Sequence, residues 1–146
     1  MKVLLAGSTG YLGSYILKEL IARNIQTRIV VRNTQKLDPS VLENSPAEVL
    51  KAEITRPETL SNCCEEFDTV ISTVGITRQK DGLTYMDVDY QANLNLLREA
   101  QNAGVRKFMS EQKFGPVKFF MTVMAMEMTA PEYGNHKLRE YFSGLK

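Results

Sequence analysis

Glycine recurs at every third position in the stretch GSTGYLG, at Gly7, Gly10 and Gly13. The apolar run KVLLA (Lys2–Ala6) leads into it, and a helical stripe begins just after, at Leu12. Glycines between a strand and a helix suit a loop passing against a pyrophosphate. The first permits a tight turn, the second lets the backbone approach the ligand, and the third lets the helix pack close to the strand. The helix N-terminus offers unpaired N–H donors and a positive dipole end. Ser8 and Thr9 add hydroxyl donors. A tight βα turn without a ligand is the plainer reading, and the strand on one side and the helix on the other favour the phosphate loop.

Other reactive side chains have less company. Cys63 and Cys64 are adjacent, so they cannot staple distant segments, and they fall in a polar stretch (58–66) that reads as a short helix without a nearby histidine. The sole histidine, His136, reads as a surface residue in the first turn of a helix. No metal site is expected.

The elements that must hold the loop follow from periodicity. Leu12, Ile16 and Leu20, with Leu17 and Ile21, form one helical stripe, and Ser14, Lys18, Glu19 and Arg23 take the wet side. QTRIVVRN, AEVLKAEIT and FDTVISTVG read as the second, third and fourth strands, the last ending at Gly75. YQANLNLLREAQNAG reads as a helix that places Ala92, Leu96, Leu97 and Ala100 on one face and Asn93, Asn95, Arg98 and Glu99 elsewhere. VRKFM starts a fifth strand. Strands alternating with helices imply an α/β fold with a parallel sheet and right-handed crossovers. The remainder is different: PVKFFMTVMAMEM reads as a methionine-rich helix, followed by a short apolar stripe at Leu138, Tyr141, Phe142 and Leu145.

The chain of 146 residues is one domain's worth, able to bury a core without disulfides. Eighteen basic and seventeen acidic side chains leave it nearly neutral, with no electrostatic case for nucleic acid or an anionic membrane. No apolar run approaches the roughly 20 residues of a membrane span. The cysteine usage fits a reducing compartment, and a cytoplasmic location is expected.

With its G-x-x-G-x-x-G spacing, GSTGYLGSYI resembles the short-chain dehydrogenase/reductase superfamily in its extended and atypical branches. VVRN, AEIT and VISTVG close the second, third and fourth strands as in that superfamily, and VDYQANLNLLREAQNAGVRKF is similar to the helix and fifth strand of the NmrA-like group. The resemblance covers residues 1–109. It implies a Rossmann-type doubly wound sheet, strand order 3-2-1-4-5, with a loop from Gly7 through Ser8, Thr9, Gly10, Tyr11 and Leu12 to Gly13 against a dinucleotide. NAD-selective sites commonly carry an acidic residue at the end of the second strand. Here Arg32 stands there, nineteen positions after Gly13, and its planar fork suits a 2′-phosphate. Lys36 is near enough in sequence to help. NADP(H) is therefore expected rather than NAD. By the same resemblance Glu53 and Ile54 border the adenine, and Thr73, Val74 and Gly75 line the ribose and pyrophosphate.

The superfamily's chemistry uses a Tyr-x-x-x-Lys pair with an upstream serine, the lysine lowering the tyrosine's pKa for proton transfer as hydride moves. Tyr133 and Lys137 match the string. Its setting departs from the family: Ser110 is twenty-three residues upstream, Pro131 and Glu132 immediately precede the tyrosine, and Asn135 reads as a helix cap. The family's strand runs on past the point reached at Met109, and a substrate domain follows it. The sequence thus divides into a dinucleotide-binding domain, 1–109, and a helical C-terminal segment, 110–146, read as the tail of a substrate domain whose middle is absent. A chain break between Met109 and Ser110 is the expected mark of that absence, with a minimal contiguous protein as the alternative. The implied function is an NADP-dependent oxidoreductase acting on a small molecule. The alternatives are a non-catalytic NADP sensor or assembly factor, working through a protein partner or as a homo-oligomer, and a nucleotide-sugar-type epimerase or dehydratase.

Overall fold

The computed structural model describes residues 1–43, 45–75 and 90–110, together with two short strands at 112–113 and 119–120. Five parallel strands form one sheet in the order β3-β2-β1-β4-β5, as expected. They are β1 (Lys2–Ala6), β2 (Gln26–Val31), β3 (Ala47–Lys51), β4 (Thr69–Ser72) and β5 (Lys107–Ser110). Register sets Leu4 opposite Arg28 and Val70, and Ile71 opposite Met109.

Central parallel strands are covered on both faces, and alternate residues of one strand feed two cores. Val3 and Leu5 of β1 point to the side where α1 (Tyr11–Ala22) lays down Leu17 and Leu20, with Ile29 and Val31. Leu4 and Ala6 point to the other side, where α3 (Asn93–Asn102) contributes Leu96, Leu97 and Ala100 beside Val70 and Phe108. Lys18, Glu19 and Arg23 stay wet, as the stripe predicts.

Several boundaries differ from the sequence reading. A single 3-10 turn, Pro57–Thr59, and a run of turns replace the helix expected over 58–66. Asn62 and Glu66 adopt positive φ, which breaks a helical path. Cys63 and Cys64 therefore lie in a turn, buried in the α3-side core, rather than on a polar helix. Contact with Cys63, then burial, pushes the Cys64 thiol up. Between β2 and β3 stand a 3-10 turn, Thr34–Lys36, and the one-turn helix α2 (Pro39–Leu42).

The expected break between Met109 and Ser110 is not found. β5 continues through both, and Ser110 pairs with Ser72 of β4. The stretch after it is not simply turn followed by helix either. Gln112–Lys113 (β6) and Phe119–Phe120 (β7) pair antiparallel, so the methionine-rich segment does not begin as a helix. Aromatic residues fit a pleated pair better than a helical turn. Residues 121–146, with Tyr133, His136 and Lys137, lie outside the described residues.

Candidate functional site

β1 ends at Ala6, and Gly7 turns the chain at φ 87, a left-handed value that glycine takes without steric cost. Gly10 N–H closes the turn on the Gly7 carbonyl at 2.9 Å, and Ser14 N–H bonds the Gly10 carbonyl at 2.9 Å to start α1. Gly13 serves close approach: a Cβ there would stand 2.1 Å from the Gly7 oxygen. Gly10 is different. A Cβ on it would meet only the Gly7 oxygen, at 3.3 Å, and Gly10 borders an open cavity. Thr73, leaving β4, ties the loop down through its Oγ1, which donates to the carbonyls of Ala6 and Gly7 at 3.2 Å each.

The cavity, about 210 Å³, lies where the strands end. Gly7, Thr9 and Gly10 come from the loop, and Val30, Val31 and Arg32 from the end of β2. Ala52, Glu53, Ile54 and Thr55 follow β3, and Thr73, Val74 and Gly75 follow β4. A crevice beyond the carboxyl ends of parallel strands, beside the point where strand order reverses, is where open α/β sheets take ligands. Thr59 steadies one wall, its Oγ1 accepting from Glu53 N–H at 3.0 Å and donating to the Glu53 carbonyl at 2.8 Å.

At the mouth, Arg32 Nε stands 3.6 Å from Glu53 Oε2. The guanidinium is half exposed and the carboxylate is only 25% exposed, so a negative charge already sits beside the arginine. Lys36 does not join them. It lines a second cavity of about 210 Å³ with Ser8, Ser14, Lys18 and Asp38 on the outer side of the loop; Thr9 borders both cavities. Ser8 is 3% exposed, and its Oγ has no hydrogen-bond partner among the described residues. A buried hydroxyl left in that state beside a helix N-terminus, with two lysines lining the same cavity, fits an anionic group. Tyr11 is 80% exposed and packs edge-on against Tyr15 at 5.2 Å; neither Tyr11 nor Leu12 lines either of these two cavities.

Asn93 and Asn95 are buried rather than turned from the core, because their amides reach Val74 and Ile54 in the cavity walls. The signal in the sequence is their interleaving with leucines in NLNLL: an amide on a buried helical register needs a partner, although its spacing does not say which.

The doubly wound sheet and its glycine loop define a dinucleotide-binding α/β domain. The chain belongs to the NAD(P)H-binding family, whose profile matches residues 7–141, and within it to the atypical, NmrA-like short-chain dehydrogenase/reductases. It is similar to the photosystem II assembly factor Ycf39 of Synechocystis, 37% identical over 109 residues, which are 75% of this chain and 32% of that protein. It is also similar to the chloroplastic divinyl chlorophyllide a 8-vinyl-reductase of Zea mays, 29% identical over 73% of this chain and 29% of the reductase. Among solved structures, a putative epimerase from Bacteroides thetaiotaomicron matches with a TM-score of 0.59 and 26% identity, over 75% of this chain and 45% of the other. The chain thus spans about a third of the length of the curated relatives it matches first. Among the described residues no helix is long and apolar enough to cross a membrane.

Proposed function

We propose that the cavity at the strand ends holds NADP(H) and that the complete protein is an NADP-dependent oxidoreductase acting on a small molecule. Arg32 at the cavity mouth, across from the glycine loop, is the observation that carries the reading. In this reading the pyrophosphate lies along Gly7–Gly10 and the N-terminus of α1. The adenosine lies between Arg32 and the Glu53–Ile54 wall, and the ribose faces Thr73–Gly75. Ser8 and Lys36 line the second cavity on the outer side of the loop and take no part in holding the 2′-phosphate in this reading. The bound cofactor supplies the hydride. The chain's own residues bind and orient it: backbone N–H groups meet the phosphates, Thr73 holds the loop closed from behind, and Arg32 discriminates the phosphorylated ribose.

The Arg32–Glu53 pair sets the terms of that discrimination. A dianionic 2′-phosphate outcompetes a single carboxylate for the guanidinium, whereas a bare 2′-OH leaves the pair in place. The test is titration of the protein with NADPH and with NADH. NADPH should bind at least about tenfold more tightly, ~1.4 kcal/mol. Equal curves would refute the NADP assignment while leaving the dinucleotide site standing.

A second reading draws on the relatives named as photosystem II assembly factors: a protein that binds NADP(H) and a protein partner without turnover, or works as a homo-oligomer. Hydride transfer to any carbonyl compound by the complete protein separates the two. Residues 110–146 as the tail of a substrate domain whose middle is absent and a cytoplasmic location belong to the proposal as well, and the catalyst is left unassigned because Tyr133 and Lys137 match the family's string but not its setting.

A further inference from the structure

The amides at the start of α3 line neither of the two cavities described above, yet Asn93 and Asn95 are 4% and 3% exposed on a helix otherwise buried through leucines and alanine. Burying an amide costs free energy unless its groups find partners. These find theirs far away in sequence. Asn95 Nδ2 donates to the Ile54 carbonyl at 3.1 Å, while its Oδ1 accepts from Gln91 Nε2 at 2.8 Å. Asn93 Nδ2 donates to the Val74 carbonyl at 3.2 Å, while its Oδ1 accepts from Ser72 Oγ at 2.5 Å. Ile54 and Val74 stand in the segments leaving β3 and β4, and both line the nucleotide cavity.

Each amide is held at both ends, so its orientation is set: oxygen toward a donor on one side, N–H toward a wall carbonyl on the other. One helix thereby ties down two segments that line the cavity. We propose that Asn93 and Asn95 are positioning residues of the dinucleotide site. Asn95 sets the adenosine wall through Ile54, and Asn93 sets the ribose–pyrophosphate wall through Val74. The inference rests on the cavity being the dinucleotide site. Walls ordered in advance spare the ligand the entropy of ordering them, so losing either anchor weakens binding without removing a contact to the ligand.

Asn95→Asp and Asn93→Asp keep side-chain shape and the oxygen acceptor but delete the donor to the wall. The probes are NADPH and adenosine 2′,5′-bisphosphate, which fills only the adenosine end. Asn95→Asp should weaken both probes by about tenfold, the scale of one lost buried hydrogen bond. Asn93→Asp should weaken NADPH by a similar factor and leave the bisphosphate within about twofold of the unmutated protein. Should a buried aspartate prevent folding, Gln91→Ala at an exposed position removes the group that orients Asn95, and Ser72→Ala removes the donor to Asn93 together with the acceptor for Val74 N–H at 3.4 Å. Each should reproduce its partner's pattern at about threefold, with the melting temperature nearly unchanged. A merely structural role would lower the melting temperature without separating the probes. Unchanged affinities in folded variants, or equal losses for both probes in all of them, overturn the proposal. If the unmutated protein binds neither probe, the dinucleotide reading itself fails, a result distinct from tight wild-type binding that the variants leave untouched.

Discussion

Arg32 and the loop glycines divide the work of the site between charge and shape. Arg32→Asp removes the partner for a 2′-phosphate and sets a second carboxylate beside Glu53. The order of affinities should then reverse, with NADH above NADPH, as fluorescence titration of the two cofactors would report. Gly10 and Gly13 have the same residue type and opposite duties. Gly10→Val places a branched side chain at the cavity edge, against which the loop offers only one contact at 3.3 Å. The variant should keep its far-UV spectrum and lose cofactor binding; retained affinity in a folded protein would reduce the loop to a turn. Gly13→Ala drives a methyl to 2.1 Å from the Gly7 oxygen. Its penalty should appear in stability, at about 1–3 kcal/mol from overpacking, measured by denaturant unfolding.

The sheet is held at its other end by Asp68. Its carboxylate accepts from the Lys2 backbone N–H at 2.8 Å and from Arg106 Nη2 at 2.8 Å, joining the starts of β1 and β5. The Lys2 N–H first, then Arg106, holds the Asp68 carboxyl below the usual carboxylate range. A depressed folded-state pKa contributes stability above the unfolded value and loses it as pH falls through the folded one. Wild type should therefore exceed Asp68→Asn in melting temperature at neutral pH. The gap should close progressively below about pH 4, where an unfolded aspartate takes up its proton. A gap independent of pH would mean that shape rather than charge does the tying. In α3, Leu96 is fully buried between the sheet and its own helix neighbours. Leu96→Ala should cost about 2–5 kcal/mol, the range for a leucine cavity in a close-packed core.

The dinucleotide domain accounts for most of the described chain, and what it lacks is a placed catalyst. In the complete protein, a catalytic Tyr133 would make Tyr133→Phe cost about a hundredfold or more in turnover. The setting of Tyr133 after Pro131 and Glu132 favours the opposite outcome: turnover close to wild type, in any assay that detects hydride transfer. An intact-mass measurement of the native product would show whether residues 109 and 110 are neighbours in it.

Local pattern carried a great deal. Apolar runs of strand length, a 3.6-residue stripe after the glycines and the alternation of the two were enough for a parallel α/β sheet, the family resemblance supplied strand order 3-2-1-4-5, and the glycine spacing gave the tight turn at Gly7 and the close packing at Gly13. These features repeat over a few residues, which is the range at which spacing speaks. The site's composition lay beyond that range. Ala52 and Thr55 became lining residues, and Arg32 met Glu53, only because β2 and β3 pair in parallel and end together. Lys36, four positions from Arg32, went to the other side of the loop because a 3-10 turn capped by the Asn33 side chain intervenes. The partners of Asn93 and Asn95 stand nineteen and forty-one residues away. A buried amide announces in the sequence that it needs a partner, but only the packing of α3 across the ends of two strands supplies Val74 and Ile54, because hydrogen bonds are satisfied in space and not along the chain.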